Sequence, residues 1–501
     1  MNYLFYDKNL IYPENKNEYS PSEMYPEYPF KNISLGTESN SVYTTIRKMF
    51  YLMGLDRKNY GKKYWNPLGK WIKPGMKICL KPNFVMHKNG SNNPDDLDSL
   101  VTHPSIIRCI LDYCYIALEG KGTVIVGDSP VKDCDFNLLM KRRNYIDIVN
   151  FYNRVKSDFK VKFYDFRGPE EEGGQYNSKG EGILVNLGEK SWFYVDNKNA
   201  NKYRIPNYHY KRVVKHHNGL TQEYLINNIV LDADVIISIP KPKTHRKNGY
   251  TAALKNFVGV SYSKEYLPHH TEGSVKNGGD EYIVNSLIPR LTSTIRKYID
   301  INRVKIDRKR KENPKSFLLK INNRISHFMW NLYNKINKLD SVLMKYKKAS
   351  LAESAREGTW YGNDTLWRTV LDLNYILKYS NNKGEITEIP QRTILHFGDM
   401  IISGEKEGPM APSPKEQHML LFSDDVVDFD CIVTKIMGFN YKKFKGLYNA
   451  VGFYPLTKNK YEQIELKSNV LECNGLLDLI NFRSISKPFV AGKGWRGHIE
   501  L

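Results

Sequence analysis

The sequence predicts an α/β fold with a mostly parallel, doubly wound sheet, and three observations carry that reading. Short β-branched runs alternate with helical stretches, the order that produces parallel strands joined by crossover helices. The run Val235, Ile236, Ile237, Ile239 has no polar face, as befits a strand covered on both sides, and Pro240 and Pro242 stop it. Charged and amide residues then follow several strand ends. In an open α/β sheet the ligand crevice lies beyond those carboxyl ends.

Taken in order, residues 1–70 are rich in Tyr, Pro and Asn and are expected to form an irregular leader packed on the core, with one helix from Ser41 to Met53. The first core strand is Met76 to Leu80. A polar loop, Asn89 to Asp98, leads to a helix from Pro104 to Leu118, with Thr102 as N-cap. Strand Thr123 to Val126, helix Asn137 to Val155 and strand Val161 to Phe166 follow. Residues 167–222, rich in Gly, Asn and Tyr, predict a small β-rich insertion. Val235 to Ile239 returns to the sheet and Thr393 to Phe397 adds a further strand. The core therefore divides into 71–260 and 393–501, separated by an insertion over 261–392.

The formal charge of +21 is unevenly spread. Residues 296–348 hold 16 Lys or Arg against four Asp or Glu, a net of +12, so most of the excess belongs to the insertion and not to the scaffold. Within it, Arg303 to Lys315 reads as a mobile solvated loop. From residue 317 to 346, Leu318, Ile321, Ile325, Phe328, Leu332, Ile336, Leu339, Leu343 and Tyr346 recur at three- and four-residue steps, which predicts a long basic amphipathic helix. Its apolar stripe has three candidate partners: the protein's own core, a second copy in a homo-oligomer, or an anionic membrane surface. The 35 tyrosines are scattered without a stacking pattern, which argues against nucleic acid. No apolar run reaches the roughly 20 residues that span a bilayer, and the N-terminus lacks a basic start followed by an apolar core. The expected location is the cytoplasm, with peripheral attachment at the inner membrane surface as the alternative.

Candidate site residues cluster after the strands. Lys241, Lys243 and His245, followed by Lys255 and Asn256 at a helix start, place cations and an amide around one strand end, where an anion would bind. Asp128 directly follows a strand, and Asp399 follows another in the same way. If both end on one edge, two carboxylates face the lysines, leaving open a divalent ion bridging an anionic substrate. P-loop, G-x-S-x-G and kinase catalytic-loop signatures are absent, and no G-x-G-x-x-G follows the first strand.

These residues also carry a resemblance. A strand, then PKPKTH (240–245), then ALKNFVG (253–259), resembles the signature block of the bacterial and archaeal family known as domain of unknown function 362. Lys81-Pro82-Asn83, Thr102-His103-Pro104 and Gly127-Asp128-Ser129 resemble its earlier blocks, and Gly398-Asp399, Glu407-Gly408-Pro409 and the acidic run from Ser423 to Asp430 its final segment. The resemblance adds Lys81, Asn83 and His103 to the candidates. Some members of the family append a ferredoxin-like module. This chain's six cysteines include no C-x-x-C pair, so no iron–sulfur cluster is expected.

The expected function is an enzyme acting on a carboxylate- or phosphate-bearing small molecule or glycan-linked substrate. Lys81, Asn83, His103, Lys241, Lys243, Lys255 and Asn256 would bind it, with His245, Asp128 and Asp399 carrying the chemistry. The alternatives are a scaffold that docks through the basic helix and a redox protein served by a separate ferredoxin.

Overall fold

Val235–Ile239 is buried at every position and lies in the middle of the central sheet, the place an all-apolar β-branched run requires. It pairs in parallel with Ile78–Pro82 on one side and with the start of Thr393–Glu407 on the other. Beyond Ile78–Pro82 come Lys121–Asp128 and Asp158–Asp165, again parallel. On the far side the sheet turns antiparallel. Ala411–Ser423 folds back on Thr393–Glu407, Asn2–Tyr6 runs antiparallel to it, and Glu465–Ser468 and Gly475–Leu476 complete that edge. The computed structural model describes residues 1–501 except 15–18, 31, 32, 34, 37, 38, 156, 170–178 and 347–349. Its mixed α/β architecture, with helices flanking a mostly parallel sheet, is the one expected from the alternation of strands and helices.

Several local expectations change. The helix Pro104–Ala117 is capped by His103, whose ring accepts from the Ser105 amide, and not by Thr102. Thr102 instead accepts from the Asn83 amide and donates to the Ile239 carbonyl, joining two strand ends. The stretch expected as one helix from Asn137 to Val155 is two, Phe136–Arg142 and Tyr145–Arg154, broken where Asn144 adopts a left-handed conformation. Where the Tyr- and Asn-rich composition suggested irregular chain, Asn2–Tyr6 is an interior strand. Part of the β-rich stretch, 170–178, lies outside the described residues. In the rest, Gly182–Asn186 pairs with Glu223–Asn227, while short 3-10 turns and the helix Tyr210–His216 fill the interval.

The basic insertion is helical where a loop was expected. Leu287–Glu312 runs through the charged stretch, turns at Asn313–Ser316, and Phe317–Tyr346 returns against it. Lys and Arg are good helix formers, so like charges on an exposed surface did not prevent the helix. Ile295 and Ile299 pack against Met329, Tyr333 and Ile336 between the two helices. Ion pairs fix the hairpin to the body: Arg296 to Glu357 at 2.8 Å and Lys132 to Asp307 at 2.9 Å.

The acidic run after Ser423 works as a set of anchors. Asp425 caps the helix Val426–Ile436 by accepting from the Val427 and Asp428 amides. Asp430, fully buried one turn later, accepts from the Tyr250 hydroxyl at 2.9 Å and from the Ala253 amide at 2.7 Å. It thereby fixes the short helix Ala253–Asn256. Replacing it strands buried donors, so Asp430→Ala should lower the unfolding free energy by about 2 kcal/mol in urea titrations. Asp430→Asn should cost less, because its amide oxygen still accepts.

Candidate functional site

The carboxyl ends of Ile78–Pro82, Lys121–Asp128 and Val235–Ile239 meet at one edge of the sheet, and buried lysines join them. The Lys81 ammonium sits 2.9 Å from Asp128 Oδ1, with neither side chain appreciably exposed. Asp128 also accepts from the backbone amides of Phe84 and Ser129, so both oxygens are occupied. Gly259 permits this approach: a Cβ there would lie 1.8 Å from Asp128 Oδ1. Asn256 donates to the Lys81 carbonyl and to Ser238 Oγ, and its oxygen lies 3.3 Å from both Lys81 Nζ and Asn83 Nδ2. Lys243 donates to Asn83 Oδ1 at 2.6 Å and to the Leu100 and Lys241 carbonyls.

A second pair, Lys241 and Asp399 at 3.1 Å, is sealed with no exposure on either side. Tyr12, from the N-terminal segment, bonds both partners, and its ring stacks on His103 at 3.9 Å. The second Asp399 oxygen accepts from the His103 amide.

In front of the Lys81–Asp128 pair opens a cavity of about 220 Å³. Asn83, Asp128, Lys243, His245, Lys255 and Asn256, all singled out by the sequence, line it. Lys81 lies directly behind Asp128. Lys241, Asp399 and His103 do not reach it; they form the sealed cluster, so the expected facing of the Asp128 and Asp399 carboxylates across one pocket is not what the fold builds. With both oxygens of each aspartate held by a lysine and by N–H or O–H donors, this donor set does not fit a bridging divalent ion. Among the described residues no group of three or more His, Cys, Asp or Glu side chains converges as a metal site.

The sequence missed part of the wall. Lys132, Arg246, Lys247, Lys264 and His269 also line the cavity, so it holds six Lys or Arg side chains against one lining carboxylate, Asp128, which is already paired with Lys81. Ser129 Oγ and Thr251 Oγ1, both buried on the wall, have no hydrogen-bond partner among the described residues. Lone lysines and serines in loops have no sequence period, so only the fold reveals that they converge.

Burial and mutual repulsion act on these cations. The Lys255 amine is held down to about 7, first by burial and then by Lys264 and Lys247. Burial likewise brings Lys247 and Lys264 to about 8. The two imidazoles differ in tautomer. His245 Nδ1 accepts from the Lys247 and Asn248 amides, leaving Nε2 as the N–H donor. His269 Nδ1 donates to the Leu267 carbonyl at 2.8 Å, leaving Nε2 as an acceptor. Burial depresses both below the ordinary histidine range. His245 therefore offers a hydrogen-bond donor, and His269 carries the free lone pair.

The hairpin from Glu407 to Ala411 forms one rim. The Arg246 amide donates to the Gly408 carbonyl, and the Gly90 amide to the Met410 carbonyl. Arg167 ties the opposite rim by donating to the Val131, Lys132 and Cys134 carbonyls while pairing with Asp165. None of the six cysteines lines the cavity; all are buried.

Residues 194–435 match the family described as Domain of unknown function (DUF362), and the chain resembles that family. The match takes in Lys241 to Asn256, Lys264, His269, Asp399 and Asp430; Lys81, Asn83, His103 and Asp128 precede it. No curated protein matches. Among solved structures, the crystal structure of a Thermotoga maritima protein, a target of the Northeast Structural Genomics Consortium, aligns at 10% identity and a TM-score of 0.28, covering 75% of this chain and 54% of that one.

Gly259→Ala should push Asp128 off Lys81 and leave a buried charge unpaired, lowering the thermal midpoint by several degrees. A melt indistinguishable from the parent protein would mean that the pair is not sterically tied to Gly259.

Proposed function

We propose that the chain is an enzyme that binds a small molecule bearing a carboxylate or phosphate, free or glycan-linked, in the cavity at the strand ends. One observation carries this: a single pocket gathers Lys132, Lys243, Arg246, Lys247, Lys255 and Lys264, while its one lining carboxylate, Asp128, is already held by Lys81 and, of the six, Lys132 is paired with Asp307. Repulsion among cations costs free energy in the empty protein, and an anion relieves it. The buried hydroxyls of Ser129 and Thr251 supply donors that such a ligand would satisfy. Lys255 and Lys264 contact the anionic group, His245 Nε2–H donates to a neighbouring oxygen, and His269 Nε2 takes a proton from the reacting group. Asp128 holds Lys81 and the Phe84 and Ser129 amides in place and acts through them.

Binding to the folded protein stabilises it, so inorganic phosphate, and separately a small dicarboxylate, should raise the thermal midpoint in a saturable way. Lys255→Gln and Lys264→Gln should each weaken that effect about tenfold while leaving the ligand-free melt nearly unchanged. Equal stabilisation of parent and variants would refute an anion site in this cavity.

The outer face of the helical hairpin favours a second, compatible property. Leu318, Ile325, Phe328, Leu332, Leu339, Val342, Leu343 and Tyr346 are exposed along Phe317–Tyr346, while Leu319, Met329, Tyr333 and Ile336 pack inward. The stripe keeps the three- and four-residue spacing of a coiled-coil seam. Its only acidic residue, Asp340, is buried against Arg356, and Arg324, Lys335 and Lys338 flank the stripe. A second copy would bring like charges together, whereas an anionic lipid surface takes both the apolar residues and the cations. Among the described residues no helix is long and apolar enough to cross a membrane.

The full chain should therefore sediment with phosphatidylglycerol vesicles, release as salt rises, and ignore phosphatidylcholine vesicles. Phe328→Glu with Leu332→Glu should abolish sedimentation. A concentration-dependent dimer that the same changes dissociate would assign the stripe to self-association instead.

A further inference from the structure

The cavity lysines differ in what they already hold. Lys81 is paired with Asp128, Lys243 donates to three oxygens, Lys132 is paired with Asp307, and Lys247 donates to the Glu357 carbonyl. Lys264 reaches the Val258 carbonyl at 3.4 Å. Lys255 is the exception: among the described residues its amine has no hydrogen-bond or ion-pair partner. It projects from the short helix that Asp430 anchors, onto the wall shared by His245, His269 and the unpartnered Ser129 and Thr251 hydroxyls.

We propose that Lys255 is a nucleophile that forms an imine with a small aldehyde or ketone carrying a carboxylate or phosphate. The assignment rests on the cavity being an anion site, since the surrounding cations would hold the charged end and present the carbonyl. An uncommitted amine among other cations is the arrangement that makes a lysine reactive near neutral pH. The Lys255 nitrogen bonds to the carbonyl carbon as the C=O π pair moves to oxygen. His245 Nε2–H donates a hydrogen bond to that oxygen, and His269 Nε2 accepts the proton that the amine sheds. His269 passes that proton to the alkoxide, giving the carbinolamine hydroxyl, and then relays the second nitrogen proton to the hydroxyl as the C–O bond breaks and water leaves. One amine and one carbonyl thus give one C=N bond and one water, with no oxidant or reductant.

The depressed basicity of Lys255, near 7, agrees with this use, because about half of the amine is then unprotonated at neutral pH, against on the order of 1 in 1000 for an ordinary lysine. The corresponding test is reductive trapping of the full chain with glyoxylate, and separately with pyridoxal 5′-phosphate, in sodium cyanoborohydride, followed by peptide mass mapping. The expected result is modification of Lys255 about tenfold faster than the mean of the surface lysines, slowed by inorganic phosphate and lost in Lys255→Arg. Its pH profile should rise with a midpoint near 7. If phosphate stabilises the protein against heat but Lys255 is trapped no faster than surface lysines, the imine is refuted and the anion site stands. If phosphate neither stabilises the protein nor slows trapping, the anion site falls, and with it this assignment.

Discussion

Placing a lysine ammonium inside a sheet is the constraint around which the site is built. Lys81 belongs to a fully buried strand, and an isolated ammonium there would cost several kcal/mol or lose its proton. Asp128, arriving from the adjacent parallel strand, supplies the countercharge, and the Pro82 carbonyl and Asn256 take further protons of the ammonium. The pair requires Gly259 to lack a side chain, so the segment Ala253–Val260 must settle against the strand ends in one way only. That segment is in turn held from the other side by Asp430. Residues far apart in sequence are thereby forced to a common edge.

The second pair repeats the device with a different outcome. Lys241 and Asp399 stand on neighbouring chain segments just as Lys81 and Asp128 do, but Tyr12 and His103 close over them and leave no opening. Lys243 lies between the two pairs and saturates its ammonium on Asn83 and two carbonyls, one of them that of Lys241. Asp128 and Asp399 are therefore spent on the buried lysines, and on the cavity wall it is Lys132 that has a carboxylate, Asp307. The positive potential of the cavity follows from this allocation, since Lys247 and Lys264 bond only to carbonyls and Lys255 has no partner among the described residues.

The sheet and its ligand-bearing edge were legible because apolar periodicity and proline stops act locally. Val235–Ile239 has the predicted bounds, and Asp128, Lys243, His245, Lys255 and Asn256 converge on one cavity. Illegible features depend on partners distant in sequence. Nothing local distinguishes Lys241, which is sealed by Tyr12, from Lys243, which reaches the wall two residues later. The tautomers of His245 and His269 are set by backbone amides and a carbonyl, invisible to composition. The charged stretch before residue 315 read as a loop because repulsion was weighed above helix propensity, and the packing of Ile295 and Ile299 against Tyr333 tips that balance.

Glu357 joins the hairpin to the cavity. Its carboxylate pairs with Arg296 on the first hairpin helix and accepts from Tyr333 on the second, while its carbonyl accepts the Lys247 amine from the cavity wall. The carboxylate is held below its ordinary range despite burial, because Arg296, Lys247 and Arg246 face it. Glu357 thus links both hairpin helices to Lys247, and Lys247 is among the charges that set the basicity of Lys255. The hairpin with its exposed apolar face and the cationic pocket are thereby joined by direct contacts, through Glu357 and through the Lys132–Asp307 pair.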